Sequence, residues 1–462
     1  MSAWMPTVRP GDAPLYERIA DAIEEDVREG KLDAGFRLPP HRELAHRISV
    51  SIGTITKAYA EGERRGLLTG HVGRGSFVAA VRRPAVRPDD DKPLDLARNL
   101  PPTGSGDKHL SATLSRLRRR GDLASALGYA PPEGMEAILQ AGAAWLTSRH
   151  GLSDVKAEDI VQCNGGQHAL LLVLGSACRP GDAILCEAST FFGLKSLSEF
   201  SGYRLQGVGM DDDGVRPDAF EQAVLTSGAR VFYTVPTLHN PTAVTTSARR
   251  REELVAIARR HDVLIVEDDA YRAVAGGSGL PATYADLAPE RTVHIATLSK
   301  GMLPGLRLGF VKTPNQELRR DVIRSIRATS YSLPSLGGLV FSQWIEDGTA
   351  GRISDEVVAE AAARTRLAQD VLGEALAPIG AGQSLHVWLP LSPLEAERTA
   401  GRALRAGVEL TPPDAPIVDA SAPSGLRICL GGAPDLEALE RGLKVVSTAI
   451  DSEIADQART IV

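Results

Sequence analysis

The sequence predicts an α/β protein in two parts: a small N-terminal winged helix-turn-helix, then a large unit on a parallel-rich sheet with a smaller C-terminal α+β portion. Three observations carry this. Residues 1–80 hold short helical repeats and a glycine-centred hairpin with a local excess of cations. From Leu94 onward, apolar runs of strand length alternate with amphipathic stretches, the pattern of a sheet covered on both faces. At 462 residues the chain exceeds one small core, so two or three folding units are expected.

Composition narrows the classes. Hydrophobic residues make up 43% and charged residues 24%, both in the globular range. The net charge of -6 excludes a uniformly basic coat, so any DNA contact must come from a local patch. No stretch approaches the apolar length of a bilayer span, and the Met1-Ser2-Ala3-Trp4 start lacks a charged region followed by an apolar core. A cytoplasmic chain without membrane contact is expected. Cys163, Cys178, Cys186 and Cys429 are scattered without a C-x-x-C pair, which indicates buried free thiols and neither a disulfide framework nor a metal site.

The first helix opens at Pro14-Leu15, with Ile19, Ala22, Ile23 and Val27 at helical spacing, and Gly30 ends it. Pro39-Pro40 starts a short helix from His41 to Ile48. Ser51 is the expected N-cap of a third helix, Ile52 to Arg65, because its hydroxyl satisfies a free backbone amide. Two short helices joined by a tight turn place the second in a major groove. Leu67-Leu68-Thr69 and Ser76-Phe77-Val78 flank Gly73-Arg74-Gly75, a hairpin with a basic tip suited to a narrow minor groove. Residues 37–74 hold seven cations (Arg37, Arg42, Arg47, Lys57, Arg64, Arg65, Arg74) against three acids, the footprint that a phosphate backbone requires.

The stretches Gly35-Phe36-Arg37-Leu38-Pro39-Pro40-His41-Arg42-Glu43-Leu44-Ala45, Val50-Ser51-Ile52-Gly53-Thr54-Ile55-Thr56-Lys57-Ala58-Tyr59 and Gly73-Arg74-Gly75-Ser76-Phe77-Val78 resemble the winged-helix domain of the GntR family. The resemblance implies double-stranded operator DNA as a partner, contacted by Arg37, Arg42, Ser51, Thr54, Thr56 and Arg74. Residues 81–94, rich in Arg, Pro and Asp, show no hydrophobic periodicity and read as a linker. At most ~3.3 Å per residue, such a segment reaches roughly 50 Å.

Residues 95–462 form the second unit, with a large part at about 125–350 and a small part at about 95–124 and 351–462. Ala183-Ile184-Leu185-Cys186, Val231-Phe232-Tyr233-Thr234-Val235, Val263-Leu264-Ile265-Val266 and Val293-His294-Ile295-Ala296 read as buried strands, and Ser247 to His261 as a helix between two of them. Ligands bind at the carboxyl ends of such strands. The informative polar residues fall there. Asn164-Gly165-Gly166-Gln167 precedes a helix whose amino end suits a phosphate. Phe191 and Phe192 follow one strand, His239-Asn240-Pro241 another, Glu267-Asp268-Asp269-Ala270-Tyr271 a third, and Thr297-Leu298-Ser299-Lys300 a fourth, with Arg307 shortly after. An amine, a carboxylate, ring-oxygen donors, a phosphate cradle and a stacking ring are the inventory that pyridoxal 5'-phosphate needs.

Residues 94–462 resemble a fold-type I aminotransferase domain, and with the N-terminal module the chain resembles the MocR subfamily of GntR regulators. The resemblance implies a pyridoxal 5'-phosphate aldimine on Lys300 and a pyridine partner in Asp268 through the spacing Asp-x-Ala-Tyr; Asp269 is the competing carboxylate. It places Asn240 and Tyr271 on the ring oxygen, Gly166, Gln167, Thr297, Ser299 and Arg307 on the phosphate, and Phe191 on the ring face. Lys300, Asp268 and Tyr271 would carry any catalysis. Arg427, with Asn240, would take an amino acid's carboxylate, and Tyr129 would reach the neighbouring subunit's coenzyme in a homodimer. The chain departs from the pattern at Ala188-Ser189 after Glu187, at Phe191 in place of the usual tyrosine, and at Met135-Glu136 after Gly134. The expected function is a transcriptional regulator that senses an amino acid, amine or the coenzyme by aldimine exchange at Lys300. A working aminotransferase with an accessory DNA-binding domain is the alternative.

Overall fold

The computed structural model describes residues 4–11, 13–28, 31–33, 35–71, 75–79, 92–102, 106–276 and 279–459. Contacts divide the chain into two compact units, Met1–Lys92 and Pro93–Val462. No described helix is long and apolar enough to cross a membrane.

In the N-terminal unit, helices Leu15–Arg28, His41–Arg47 and Ile52–Arg64 pack around Ile19, Ile23, Leu44, Ile55 and Tyr59. Each large side chain so buried contributes ~1.5–3 kcal/mol. Ser51 caps the third helix, its hydroxyl accepting from Thr54 N at 3.1 Å. Strands Leu68–His71 and Gly75–Val78 pair antiparallel, with Leu68 opposite Val78, and both residues join that core. The hairpin tip, including Arg74, and residues 80–91, which hold most of the expected 81–94 linker, lie outside the described residues.

The second unit is organised by a seven-stranded sheet. Its order across the sheet is Ile160–Cys163, Gly309–Lys312, Thr292–Thr297, Leu264–Asp268, Val231–Thr234, Ala183–Glu187 and Arg204–Val208. All strands run parallel except Gly309–Lys312, which is antiparallel to both neighbours. Helices cover both faces, which is why the central strands are apolar on both sides. Helix Ala248–Arg260 starts at Ser247, whose side chain accepts from Arg250 N at 3.3 Å.

A smaller portion pairs Leu94–Leu96 with Val408–Leu410 in parallel and His386–Pro390 with Gly425–Cys429 antiparallel. Helices Pro393–Arg405 and Leu436–Arg459 pack on it through Ala396, Ala403, Leu439 and Leu443. Leu94 therefore opens a strand and does not belong to the linker. The expected small part at 95–124 needs a further correction. Helix Gly106–Arg120 turns Leu110, Leu114 and Leu117 to the core around Trp145 and Trp344, so it joins the large part.

Candidate functional site

The parallel strands bring their carboxyl ends to one rim, and the single antiparallel strand brings its amino end, with Arg307, to the same place. Asn164, Glu187, Asp268 and Thr297 all sit on that rim because each terminates or follows a strand.

Lys300 lies in the short helix Leu298–Gly301, half-buried, with Nζ donating to the backbone carbonyl of Asn99 and sitting 5.9 Å from the centre of the Tyr271 ring. Burial pushes its amine down to about 8. Asp268 ends its strand, and its Oδ2 accepts from the Tyr233 hydroxyl at 2.9 Å. Its Oδ1 is buried without a partner, and burial pushes the carboxyl up to about 6. Asp269 faces elsewhere, toward His150, His294 and Arg272. The two neighbouring carboxylates thus have different surroundings, and it is Asp268 that shares a field with Lys300.

Tyr271 is buried, and its hydroxyl accepts from Asn99 Nδ2 at 3.1 Å. Arg427 donates through Nη1 to Asn240 Oδ1 at 2.7 Å, and through Nη2 to Thr411 Oγ1 at 2.9 Å and Ala97 O at 2.8 Å. Its guanidinium lies 5.8 Å from the centre of the Phe192 ring. Phe191 is half-buried and packs at 5.1 Å against Phe192, with a tilt of 52°.

Helix Gly166–Ala177 begins after Gly165, whose φ of 78° suits a residue without Cβ. A Cβ there would lie 3.0 Å from the Arg307 guanidinium, so glycine leaves this corner open. Gln167 Nε2 donates to Gly193 O at 2.8 Å, and Arg307 Nη2 to Asn164 O at 2.9 Å. The Thr297 and Ser299 hydroxyls are 2.9 Å apart, and Thr297 Oγ1 caps Ser299 N. A cavity of about 620 Å³ opens beside them, lined by Gln167, His168, Leu197, Phe200 and Arg307. Tyr129 is not drawn into this cluster. It is 85% exposed and meets the Tyr331 ring edge-on at 5.2 Å.

Sequence reasoning missed Asn99, Tyr233 and Thr411. Asn99 Nδ2 also lies 2.9 Å from His386 Nδ1, so its side-chain amide links Tyr271 and His386 while its backbone carbonyl accepts from Lys300. Tyr233 was legible as a polar tip inside an apolar strand. Nothing local marks the others.

A model of aminotransferase class I and II matches residues 91–446. The chain belongs to the aminotransferase class I and II family. To this aminotransferase domain is joined a gntR-family domain of bacterial regulatory proteins, matched over residues 15–78. Among curated relatives, the uncharacterized HTH-type transcriptional regulator YdeF of Bacillus subtilis (strain 168) is 27% identical over 455 residues, covering 97% of each chain. The vitamin B6 salvage pathway transcriptional repressor PtsJ of Salmonella typhimurium (strain LT2) is 28% identical over 436 residues, covering 92% of this chain and 96% of its own. The kynurenine aminotransferase of Pyrococcus horikoshii, solved with PMP, superposes with a TM-score of 0.71 at 22% identity, over 81% of this chain and 95% of that one. The last likeness shows that the aminotransferase-family unit has that fold.

In the gntR-family unit, Arg37 and Arg42 are exposed, as are Ser51 and Thr56. Ser51 and Thr54 hydroxyls lie 2.8 Å apart, Thr56 Oγ1 donates to Ile52 O at 3.0 Å, and His41 Nδ1 lies 3.2 Å from Thr56 Oγ1. Three of the seven cations are held by acids of the same unit. Arg47 pairs with Glu43, Arg64 with Glu61, and Arg65 with Glu61, Asp21 and Glu24. Among the described cations, Arg37, Arg42 and Lys57 carry the remaining positive charge.

Proposed function

We propose that this chain is a pyridoxal 5'-phosphate-dependent transcriptional regulator of the MocR kind. It reads double-stranded operator DNA with its gntR-family unit and responds to an amino acid, an amine or the coenzyme itself in the cleft around Lys300. One observation carries the reading: a DNA-reading domain shares a chain with an aminotransferase-family cleft in which a half-buried amine feels the field of a buried acid with a free oxygen. The regulators among the relatives favour it over the enzyme.

The residues fit the coenzyme. Asp268 Oδ1, buried and unpartnered, lacks one donor, which a protonated pyridine nitrogen supplies. The amino end of helix Gly166–Ala177, with the space left by Gly165, suits a phosphate beside Gln167, Thr297, Ser299 and Arg307. When bound, the coenzyme supplies an aldehyde that condenses reversibly with primary amines. Lys300, with its amine lowered to about 8, keeps roughly a tenth of its molecules neutral near pH 7 and so offers a nucleophile there. Asn240 and Tyr271 orient the ring oxygen, and Phe191 covers the ring. Arg427, held in place by Asn240, Thr411 and Ala97, keeps one Nη1 hydrogen free for the ligand's carboxylate. Asn240 joins that contact.

Tyr129 completes the cleft of a second copy in a homodimer, its exposed ring and the neighbouring Leu127 forming part of the joint. The protein works in the cytoplasm, where its DNA is. Arg37, Arg42, Ser51, Thr54, Thr56 and Arg74 contact the operator. Ligand binding at Lys300 and Arg427 biases the paired readers through its differential affinity for two states.

The test is a footprint of the full chain on DNA flanking its own gene, with and without pyridoxal 5'-phosphate and candidate amino compounds. A specific footprint altered by ligand is expected. No specific footprint at low or moderate salt overturns the proposal. Transamination is favoured only by Lys300 and Arg427 both being in place, and steady multiple turnover with an amino donor and keto acceptor would identify it.

A further inference from the structure

Three side chains that this chemistry leaves unused converge inside the second unit. His150 ends helix Glu136–His150, Asp269 follows strand Leu264–Asp268, and His294 lies within strand Thr292–Thr297. All three are fully buried, and one ligand atom from each lies within 4.8 Å of the others.

The hydrogen bonding leaves the cluster open. Both ring nitrogens of His150, both oxygens of Asp269 and Nε2 of His294 are buried without a partner. Leaving such atoms unsatisfied is costly, so a species outside the polypeptide is called for. The tautomer of His294 is decided by its other side. Nδ1 lies 2.9 Å from Glu267 Oε2, while Glu267 also accepts from the amides of Tyr284 at 2.9 Å and Ala285 at 3.1 Å, with Arg251 3.7 Å away. A carboxylate ringed by donors accepts from Nδ1–H, which leaves the Nε2 lone pair for the cluster. A carboxylate orienting a histidine in this way is the usual outer support of a metal ligand.

Two guanidinium groups, Arg272 and Arg251, oppose a cation. The Arg272 Nε lies 3.7 Å from Asp269 Oδ2, and Arg272 Nη2 donates to Pro281 O at 2.8 Å. Asp269 has two oxygens, however, and Oδ1 remains for the ion. A nearby guanidinium disfavours hard ions held by charge alone and leaves those that bond well to imidazole.

We propose that His150, Asp269 and His294 bind one divalent transition-metal ion of the zinc class. The ion ties the end of helix Glu136–His150 to the segment after Asp268 and to the strand that leads to Lys300, so its role is structural. The separations, up to 4.8 Å, exceed the roughly 3.3 Å edge of a tetrahedron with ~2.0–2.1 Å bonds, so binding draws the ligands together by up to about 1.5 Å. Water completes the coordination.

A closed interior site loads during folding, so the untagged full chain is produced in minimal medium supplemented with zinc or with cobalt. One metal per chain by mass spectrometry is expected, with a cobalt absorption band at longer wavelength than the coenzyme's. His150→Gln and Asp269→Asn should retain at least tenfold less metal. Metal-free protein from both media, or variants that retain metal like the parent, overturns the proposal and leaves buried water as the occupant. If the variants fail to fold, the parent decides: refolding with a chelator should lower Tm by several degrees, and zinc but not magnesium should restore it. An unchanged Tm overturns the proposal.

Discussion

Tyr233 gives its hydroxyl hydrogen to Oδ2 of Asp268 across 2.9 Å, and the second oxygen of that buried carboxylate is left without a partner. The phenol thereby holds the acid in one orientation, with its free oxygen reserved.

Tyr233→Phe removes this support while keeping the ring. A hydrogen bond to a charged group contributes ~1.5–3 kcal/mol, so retention of pyridoxal 5'-phosphate should weaken by about 10- to 100-fold. Spectral titration of coenzyme-free protein measures it. An unchanged dissociation constant would mean that Asp268 is held by its backbone alone.

Lys300 predicts a pH profile. Its amine is lowered by burial from 10.5 to about 8, so the rate of coenzyme loading should climb about tenfold per pH unit up to about 8 and then level. An ordinary lysine would keep climbing. For stability, a folded pKa below the unfolded one is a cost. That cost is full below about 8 and is lifted as pH rises toward 10.5. Lys300→Met should therefore raise Tm at pH 7 and lose the advantage near pH 10, and it should abolish the coenzyme's bound absorption band at every pH.

Glu187 titrates in the opposite sense. Burial raises it from 4.5 to about 7, although Thr234 Oγ1 at 2.6 Å, Val235 N at 2.8 Å and Thr190 Oγ1 at 3.2 Å all donate to it. The folded state holds the proton more tightly, so this group's contribution is greatest below about 4.5, fades as pH rises to about 7 and is flat above. Glu187→Gln should melt higher than the parent at pH 8 and converge with it near pH 5. Thermal scans across that range decide, and a pH-independent difference would contradict the assignment.

The ion pairs of the reader separate DNA contacts from structural cations. Arg42→Ala should weaken binding on all sequences and lower the salt slope by about one, as expected for one lost phosphate contact. Arg65→Ala breaks pairs with Glu61, Asp21 and Glu24, so it should lower the unit's stability with little change in that slope. Binding isotherms at several salt concentrations, beside melting curves, distinguish the two. Equal slopes for parent and Arg42→Ala would remove Arg42 from the interface.

By itself the sequence determined whatever is written within a few tens of residues. Ser51 as a cap, the hairpin from Leu68 to Val78, the apolar strands and the neighbourhood of Lys300 follow from periodicity, capping chemistry and turn residues, which act locally. Only the tertiary structure decided which distant groups meet. Asn99 reaches Lys300 and Tyr271 because strand Leu94–Leu96 pairs with Val408–Leu410. Arg427 meets Asn240, Arg65 meets Asp21, and Asp268 parts from Asp269, through strand order and helix packing. No window of sequence encodes those pairings, because their energy comes from burying surfaces that lie far apart along the chain.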